Sequence, residues 1–411
     1  MSIFINIITL FFCLIIAVRG LLCKRLFAPN TLFGLIWSAI LFAYLGKIEI
    51  YYTFSIYSSL LLLFGTFSFF LGSGLVEERL TIRSPSVETR PVLLRTRLFL
   101  ILSTLTILVF LPKAVINFGL LMSGLDFNDV YLLNLQQNLD ERDFFITVIT
   151  SLVAGPLTFV IIPILGLELT SSKKRIWVII LALLIILLAI LQSGRRSLLI
   201  YIIPGLFFIF FSSSVNLGSI KSKLKKYFIL IPLIIVSISL ISWLSSQRDT
   251  SLGETGYIYL GGGVAGFSYR IEQIDKWYWG TGTLHGYLVP IMIGTKYFTR
   301  SYPEWWIKLD ALVEAADEIK IGPNEYMNAF TTMFYVPYID FGPLGVLLVS
   351  FIVGIINGKF YKRMVSNPSA INKSYYTLII VGLFGSMYTL YFTQTPYALS
   401  FIYVLLLFKK K

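Results

Sequence analysis

The chain has 411 residues, of which 56% are hydrophobic and 13% charged, with a mean hydropathy of +0.80. A soluble domain carries about a quarter charged residues, so this composition excludes a soluble globular protein and points to an all-α polytopic membrane protein. The formal net charge of +13 would suit a polyanion-binding surface, but its distribution assigns it to membrane topology and leaves no nucleic-acid partner implied.

Apolar runs of about 20 residues, long enough to cross a bilayer, fall near 2–18, 29–46, 53–75, 98–118, 144–167, 176–191, 198–213, 227–243, 342–358, 375–391 and 397–408. They predict about 11 transmembrane helices (10–12) in a single integral membrane domain over 1–411. Basic residues cluster in alternate loops, around Arg19, Arg83, Lys173, Lys223, Lys362 and Lys409. The acidic residues on that side are Glu77, Glu78, Glu88 and Glu168. Positive charge is retained in the cytoplasm. The C-terminus is therefore expected inside, the N-terminus outside, and the one long polar interval, 244–341, outside as a large loop with short amphipathic helices.

In chain order, the run Ile3–Val18 has no basic residue before it and no small-x-small cleavage pattern after it, so it reads as a retained span. Cys13 and Cys23 lack metal-ligand spacing and read as apolar filler, with no disulfide. The first three spans are aromatic-rich and read as lipid-facing scaffold. Val76–Arg97, with Pro85 and Pro91, reads as a solvated connector. In the smaller outer segment 119–143, Gly119–Gly124 breaks the helix and Leu125–Asp143 alternates apolar with acidic or amide residues. Both an interfacial amphipathic helix and a sugar-contacting surface fit that pattern.

Gln192-Ser193-Gly194-Arg195-Arg196-Ser197 lies between two apolar runs on the expected outer side. Two arginines there oppose the charge bias and cost several kcal/mol near the bilayer unless paired or used. They either snorkel to lipid headgroups or capture an anion, since guanidinium forks bind phosphate oxygens bidentately and stay charged.

The long interval opens with Arg248 and Arg270. Its Gly261–Gly266 matches G-x-G-x-x-G only formally, with no strand–helix unit to make a dinucleotide site. Trp277, Tyr278 and Trp279 suit an interface belt or a sugar-stacking platform equally. Gly280–Gly286 reads as a flexible stretch carrying the sole histidine, His285. Trp305, Leu309, Leu312, Val313, Ala316 and Ile319 form a helical stripe opposite Asp310, Glu314, Asp317 and Glu318, expected to cover the outer opening without chemistry of its own. Asn324, Glu325, Asn328, Thr331 and Tyr335 follow, and Asp340-Phe341-Gly342 leads into the next span. No other part of a kinase signature accompanies that triplet. Asp340 also fits a helix N-cap before Pro343.

Taken together, Ser193-Gly194-Arg195-Arg196-Ser197 between two spans, the large outer loop, the Asn-x-x-Thr-like residues and Asp340-Phe341-Gly342-x-x-Gly345 entering a span resemble the O-antigen polymerase (Wzy) family. The resemblance covers topology over most of the chain and short motifs near 192–200 and 324–358. It implies a fold akin to GT-C glycosyltransferases. It also implies polymerisation of undecaprenyl-diphosphate-linked oligosaccharide repeat units at the outer face of the bacterial inner membrane. A chain-length regulator and a flippase are the protein partners it implies. The related O-antigen ligases carry a histidine where this chain has Asn324-Glu325, which favours polymerase over ligase.

The leaving group of such a reaction is an anionic diphosphate, and positive charge must meet it. The outer segments hold no D-x-D or His/Asp cluster, so metal-independent stabilisation by Arg195, Arg196, Arg248 and Arg270 is expected, with Asn328 and Tyr335 as further substrate-binding residues and no cofactor. The acceptor hydroxyl needs a base, for which Glu325, Asp340 and His285 are the candidates. An O-antigen ligase-type transferase is the alternative within enzymes. A polysaccharide or lipid-intermediate transporter is the alternative outside them, although transporters usually show repeated halves and charged residues inside spans.

Overall fold

The computed structural model describes residues 1–23, 25–52, 54–77, 92–125, 130, 144–171, 175–193, 252–315, 317–323, 325–327 and 331–410. Its helices are α1 (Ser2–Leu22), α2 (Pro29–Gly46), α3 (Ile56–Glu77), α4 (Thr96–Met122), α5 (Phe144–Ile149), α6 (Gly155–Thr170), α7 (Ile176–Ser193), α8 (Leu252–Ile271), α9 (His285–Thr299), α10 (Glu304–Glu314), α11 (Tyr335–Ser366), α12 (Ala370–Gly385) and α13 (Thr395–Leu407). Strands are few and short: β1 (Val92–Leu94) pairs antiparallel with β4 (Phe408–Lys410), and β2 (Ile319–Lys320) with β3 (Tyr326–Met327).

Among the described residues, six helical stretches are long and apolar enough to cross a membrane: α1, α2, α3, α4, Phe145–Leu169 and α11. The chain is thus a helical membrane protein. The expected spans near 198–213 and 227–243 lie outside the described residues, as do most of 119–143 and the connector 78–91. Helix α4 runs through Gly119 and ends at Met122, capped by Ser123, with the turn made by Gly124 at φ +97°.

The chain divides into two compact units. The first comprises residues 1–89, 253–368 and 382–398. Its centre is α3 against α11, which approach backbone to backbone. A Cβ placed on Gly72 would stand 2.1 Å from the Phe351 carbonyl oxygen, and one on Gly354 2.3 Å from that of Phe69. Small residues permit such contact between apolar helices, where dispersion and not water exclusion holds them. Phe33 of α2 stacks on Phe69 at 3.8 Å.

The described residues of the polar interval from 253 onward fold onto these helices. The glycine run, read from sequence as part of a loop, lies inside α8. The missing side chains let the α8 backbone meet α2, because a Cβ on Gly261 would stand 2.8 Å from the Tyr44 nitrogen. The stripe expected over Trp305–Ile319 is also revised. Helix α10 ends at Glu314, where Ala315 turns left-handed (φ 47°), and it buries Trp306, Leu309 and Val313 while Trp305 is exposed. Cys13 is buried as expected, but Cys23 is exposed.

The second unit comprises 90–252, 369–381 and 399–411. Helix α4 packs against α7 around Phe110, Ala114, Leu188 and Ala189, and the Asn117 amide donates to the Leu191 carbonyl at 2.8 Å. Thr150–Ala154 is a π-helical turn before Pro156. Proline offers no N–H to the carbonyl four residues back. That carbonyl, on Leu152, accepts instead from the Tyr403 hydroxyl at 2.6 Å.

Candidate functional site

The described candidate residues belong to the first unit, and a break in α11 organises them. Phe341 (φ −142°, ψ 18°) and Gly342 (φ 61°, ψ −143°) leave the helical range just before Pro343. Proline cannot continue the ladder, so the carbonyls of Ile339 and Asp340 need donors from elsewhere. Tyr278 N–H supplies one to Ile339 (3.1 Å) and Trp279 N–H one to Asp340 (3.0 Å). The Asp340 carboxylate reaches back to the same segment, accepting from the N–H groups of Gly282 (2.8 Å) and Thr283 (2.6 Å).

Asp340 is thus fully buried and caps a distant turn rather than its own helix. Both its oxygens are engaged. The stretch Gly280–Gly286, read as flexible, is fastened: His285 N–H donates to Gly282 O (3.1 Å), and Gly286 lies within α9, close against the Phe392 carbonyl. Trp277, Trp279 and Phe341 meet edge to face around the break, at 6.5 and 6.1 Å, with Trp277 50% and Trp279 74% exposed. The result is a polar turn beside two indoles, each at least half exposed.

Three residues beyond that turn, His285 is only 4% exposed and both ring nitrogens are occupied. Nδ1 lies 3.1 Å from the Thr393 carbonyl and Nε2 2.8 Å from Asp310 Oδ1. The Trp306 ring lies flat against the imidazole, centroids 4.7 Å apart and planes within 1°. Asp310 falls one turn after Trp306 on the same face of α10, so one helix supplies both contacts. From sequence, Asp310 belongs to the acidic face of a covering helix, without chemistry of its own. Its carboxylate, beside Tyr302, adds to burial in raising that phenol's pKa.

Arg270, at the end of α8, is buried, and its Nη2 donates to the carbonyls of Ala315 (2.9 Å) and Asp317 (2.5 Å). A cation there caps the left-handed end of α10. The buried Tyr335 hydroxyl group neighbours Arg270, Asp317 and Tyr278. Arg270 and Tyr335 are therefore brought together. Among the described residues no carboxylate lies within ion-pair distance of Arg270, and its Nε has no partner.

Glu325 closes the β2–β3 hairpin. Its carbonyl accepts from Ile321 and Gly322, while its side chain is half-buried near Tyr51, whose hydroxyl is pushed up by burial and then by the Glu325 charge. Of the three candidate bases, Glu325 alone keeps a carboxylate free of hydrogen bonds among the described residues. Arg195, Arg196, Arg248 and Asn328 lie outside the described residues, and no group of three His, Cys, Asp or Glu side chains suited to a metal occurs among the described ones. No protein-family model, curated protein or solved structure matches the chain.

Proposed function

We propose that the chain is a bacterial oligosaccharide repeat-unit polymerase with a GT-C-like arrangement of about 11 spans, working at the outer face of the inner membrane. The observation that carries the reading is the junction at Asp340–Gly342. In a chain built of apolar helices, a buried carboxylate fixes a polar turn beside two exposed indoles. Exposed aromatic rings beside fixed backbone polar groups suit a sugar ring, which has one apolar face and hydroxyls at its edge.

In this reading the acceptor hydroxyl oxygen attacks the anomeric carbon of the donor, the bond from that carbon to the diphosphate oxygen breaks, and the hydroxyl proton passes to Glu325. Undecaprenyl diphosphate leaves with the electron pair of the broken bond. Arg195, Arg196 and Arg248 meet its developing charge without a metal. Asp340, His285 and Arg270 hold the surrounding turns, because their polar atoms are largely engaged by backbone.

Deletion followed by electrophoresis of the surface glycan tests the reading. Loss of a polymerase leaves glycan carrying one repeat unit. Loss of a ligase accumulates polymer on its lipid carrier, and loss of a transporter accumulates repeat units at the inner face; either pattern would replace the polymerase assignment.

A further inference from the structure

The first unit contains a cavity of about 510 Å³ that none of the proposed chemistry uses. Its size is within the 300–1,000 Å³ usual for small-molecule sites. It lies between α1 and α3, at the end of α1 where Arg19 stands. Phe12 and Ile16 of α1 and Phe67 and Leu71 of α3 form an apolar groove, while the polar residues collect at one end. That end carries Arg19, in the last turn of α1, and Arg25, in the turn before α2.

Backbone hydrogen bonds fasten Arg25: its N–H donates to the Gly20 carbonyl at 2.9 Å, and Ala28 N–H donates to the Arg25 carbonyl at 2.9 Å. Among the described residues, neither arginine makes an ion pair. The carboxylate at this end, Glu77, is buried and accepts from the Ser73 hydroxyl (2.6 Å) and the Asn30 N–H (3.1 Å). The buried Asn30 side-chain oxygen has no partner. The cavity therefore combines an apolar trough with two cations at its polar end; the Glu77 carboxylate and the Asn30 oxygen there are acceptors, so the arginines alone could hold an anion.

We propose that this cavity binds one phosphate-headed membrane lipid, its acyl chain along the α1–α3 groove and its phosphate against Arg19 and Arg25. Guanidinium forks match phosphate oxygens bidentately. The apolar trough explains why the ligand is a lipid and not a free anion. Arg19 at the end of α1 also complements the helix dipole, but that role accounts for neither the trough nor Arg25.

Exposed Cys23 lines the cavity and Cys13 is buried, so maleimide labelling of Cys23 reports occupancy. Delipidated wild-type protein in detergent is titrated with phosphatidylglycerol, phosphatidylcholine or inorganic phosphate, with bound lipid counted by native mass spectrometry. Phosphatidylglycerol is expected to be retained and to slow Cys23 labelling. With each charge-assisted contact worth about tenfold, the double variant R19Q/R25Q should bind roughly 100-fold more weakly. Leu71→Trp, at a surface position of α3, should block binding by filling the trough while leaving both charges intact. The proposal is overturned by equal retention of phosphatidylcholine, by unchanged binding in either variant, or by protection from inorganic phosphate alone. Unchanged binding in R19Q/R25Q would leave the arginines as residues reaching bulk headgroups.

Discussion

The Trp277 indole rests on the backbone of Gly342: a Cβ there would stand 2.8 Å from the ring. The break in α11 is thus shaped by what packs on it as well as by Pro343. Gly342 also holds φ 61° and ψ −143°, a region residues with side chains rarely adopt. Gly342→Ala should therefore cost about 1–3 kcal/mol and displace Trp277. Thermal melting of purified protein and tryptophan fluorescence check this, and an unshifted melt with an unchanged spectrum would mean that the break tolerates a side chain.

Asp340→Ala would leave the N–H groups of Gly282 and Thr283 without acceptors in a buried turn. Each such orphan costs about 1–3 kcal/mol. Asp340→Asn restores one acceptor at most and turns an amide donor toward the other N–H. Both variants should melt earlier than wild type, alanine at least as early as asparagine, and polymer length should shorten in proportion to folded protein. Loss of activity at unchanged stability would instead give Asp340 a direct part in proton transfer.

His285 is predicted to be a positioning residue. Its ring is sandwiched against Trp306 and bonded on both edges, which leaves no nitrogen for an acceptor hydroxyl. His285→Gln and Asp310→Asn should lower thermal stability yet keep kcat within about tenfold, well short of the 10²–10⁴-fold contribution usual for a general base. The pH–rate profile of His285→Gln should keep its wild-type shape. A vanished limb would return the histidine to the chemistry.

Glu325 is predicted to behave oppositely. Its carboxylate holds no turn together among the described residues, so Glu325→Gln should leave the melting temperature unchanged while kcat falls about 10²–10⁴-fold, the usual worth of a positioned base. Normal chain lengths in this variant would remove Glu325 as the base.

The helices were legible because a bilayer imposes a length on apolar runs: α1 to α4 and the apolar part of α11 fall near the stretches that hydropathy marks. The break in α11 was half legible, since Gly342-Pro343 forbids a regular helix. Its docking partner was not. Asp340 binds backbone N–H groups 57 and 58 residues away, and backbone donors leave no residue-type signature. Gly261–Gly263 looked like a loop because helical glycine has no evident purpose until the Tyr44 backbone is beside it. Asp310 offered a signal that went unused, its four-residue spacing from Trp306.

The central claim is that this chain joins lipid-linked repeat units with arginines meeting the leaving diphosphate. It is tested most directly by incubating purified protein with lipid-linked repeat units isolated from a deletion strain and measuring glycan length and released undecaprenyl diphosphate together. Wild type should lengthen the glycan with one carrier released per repeat added, and Arg195→Ala or Arg196→Ala should slow both by about 10²–10³-fold. Wild-type rates in both variants, or no lengthening by folded wild-type protein, would contradict it.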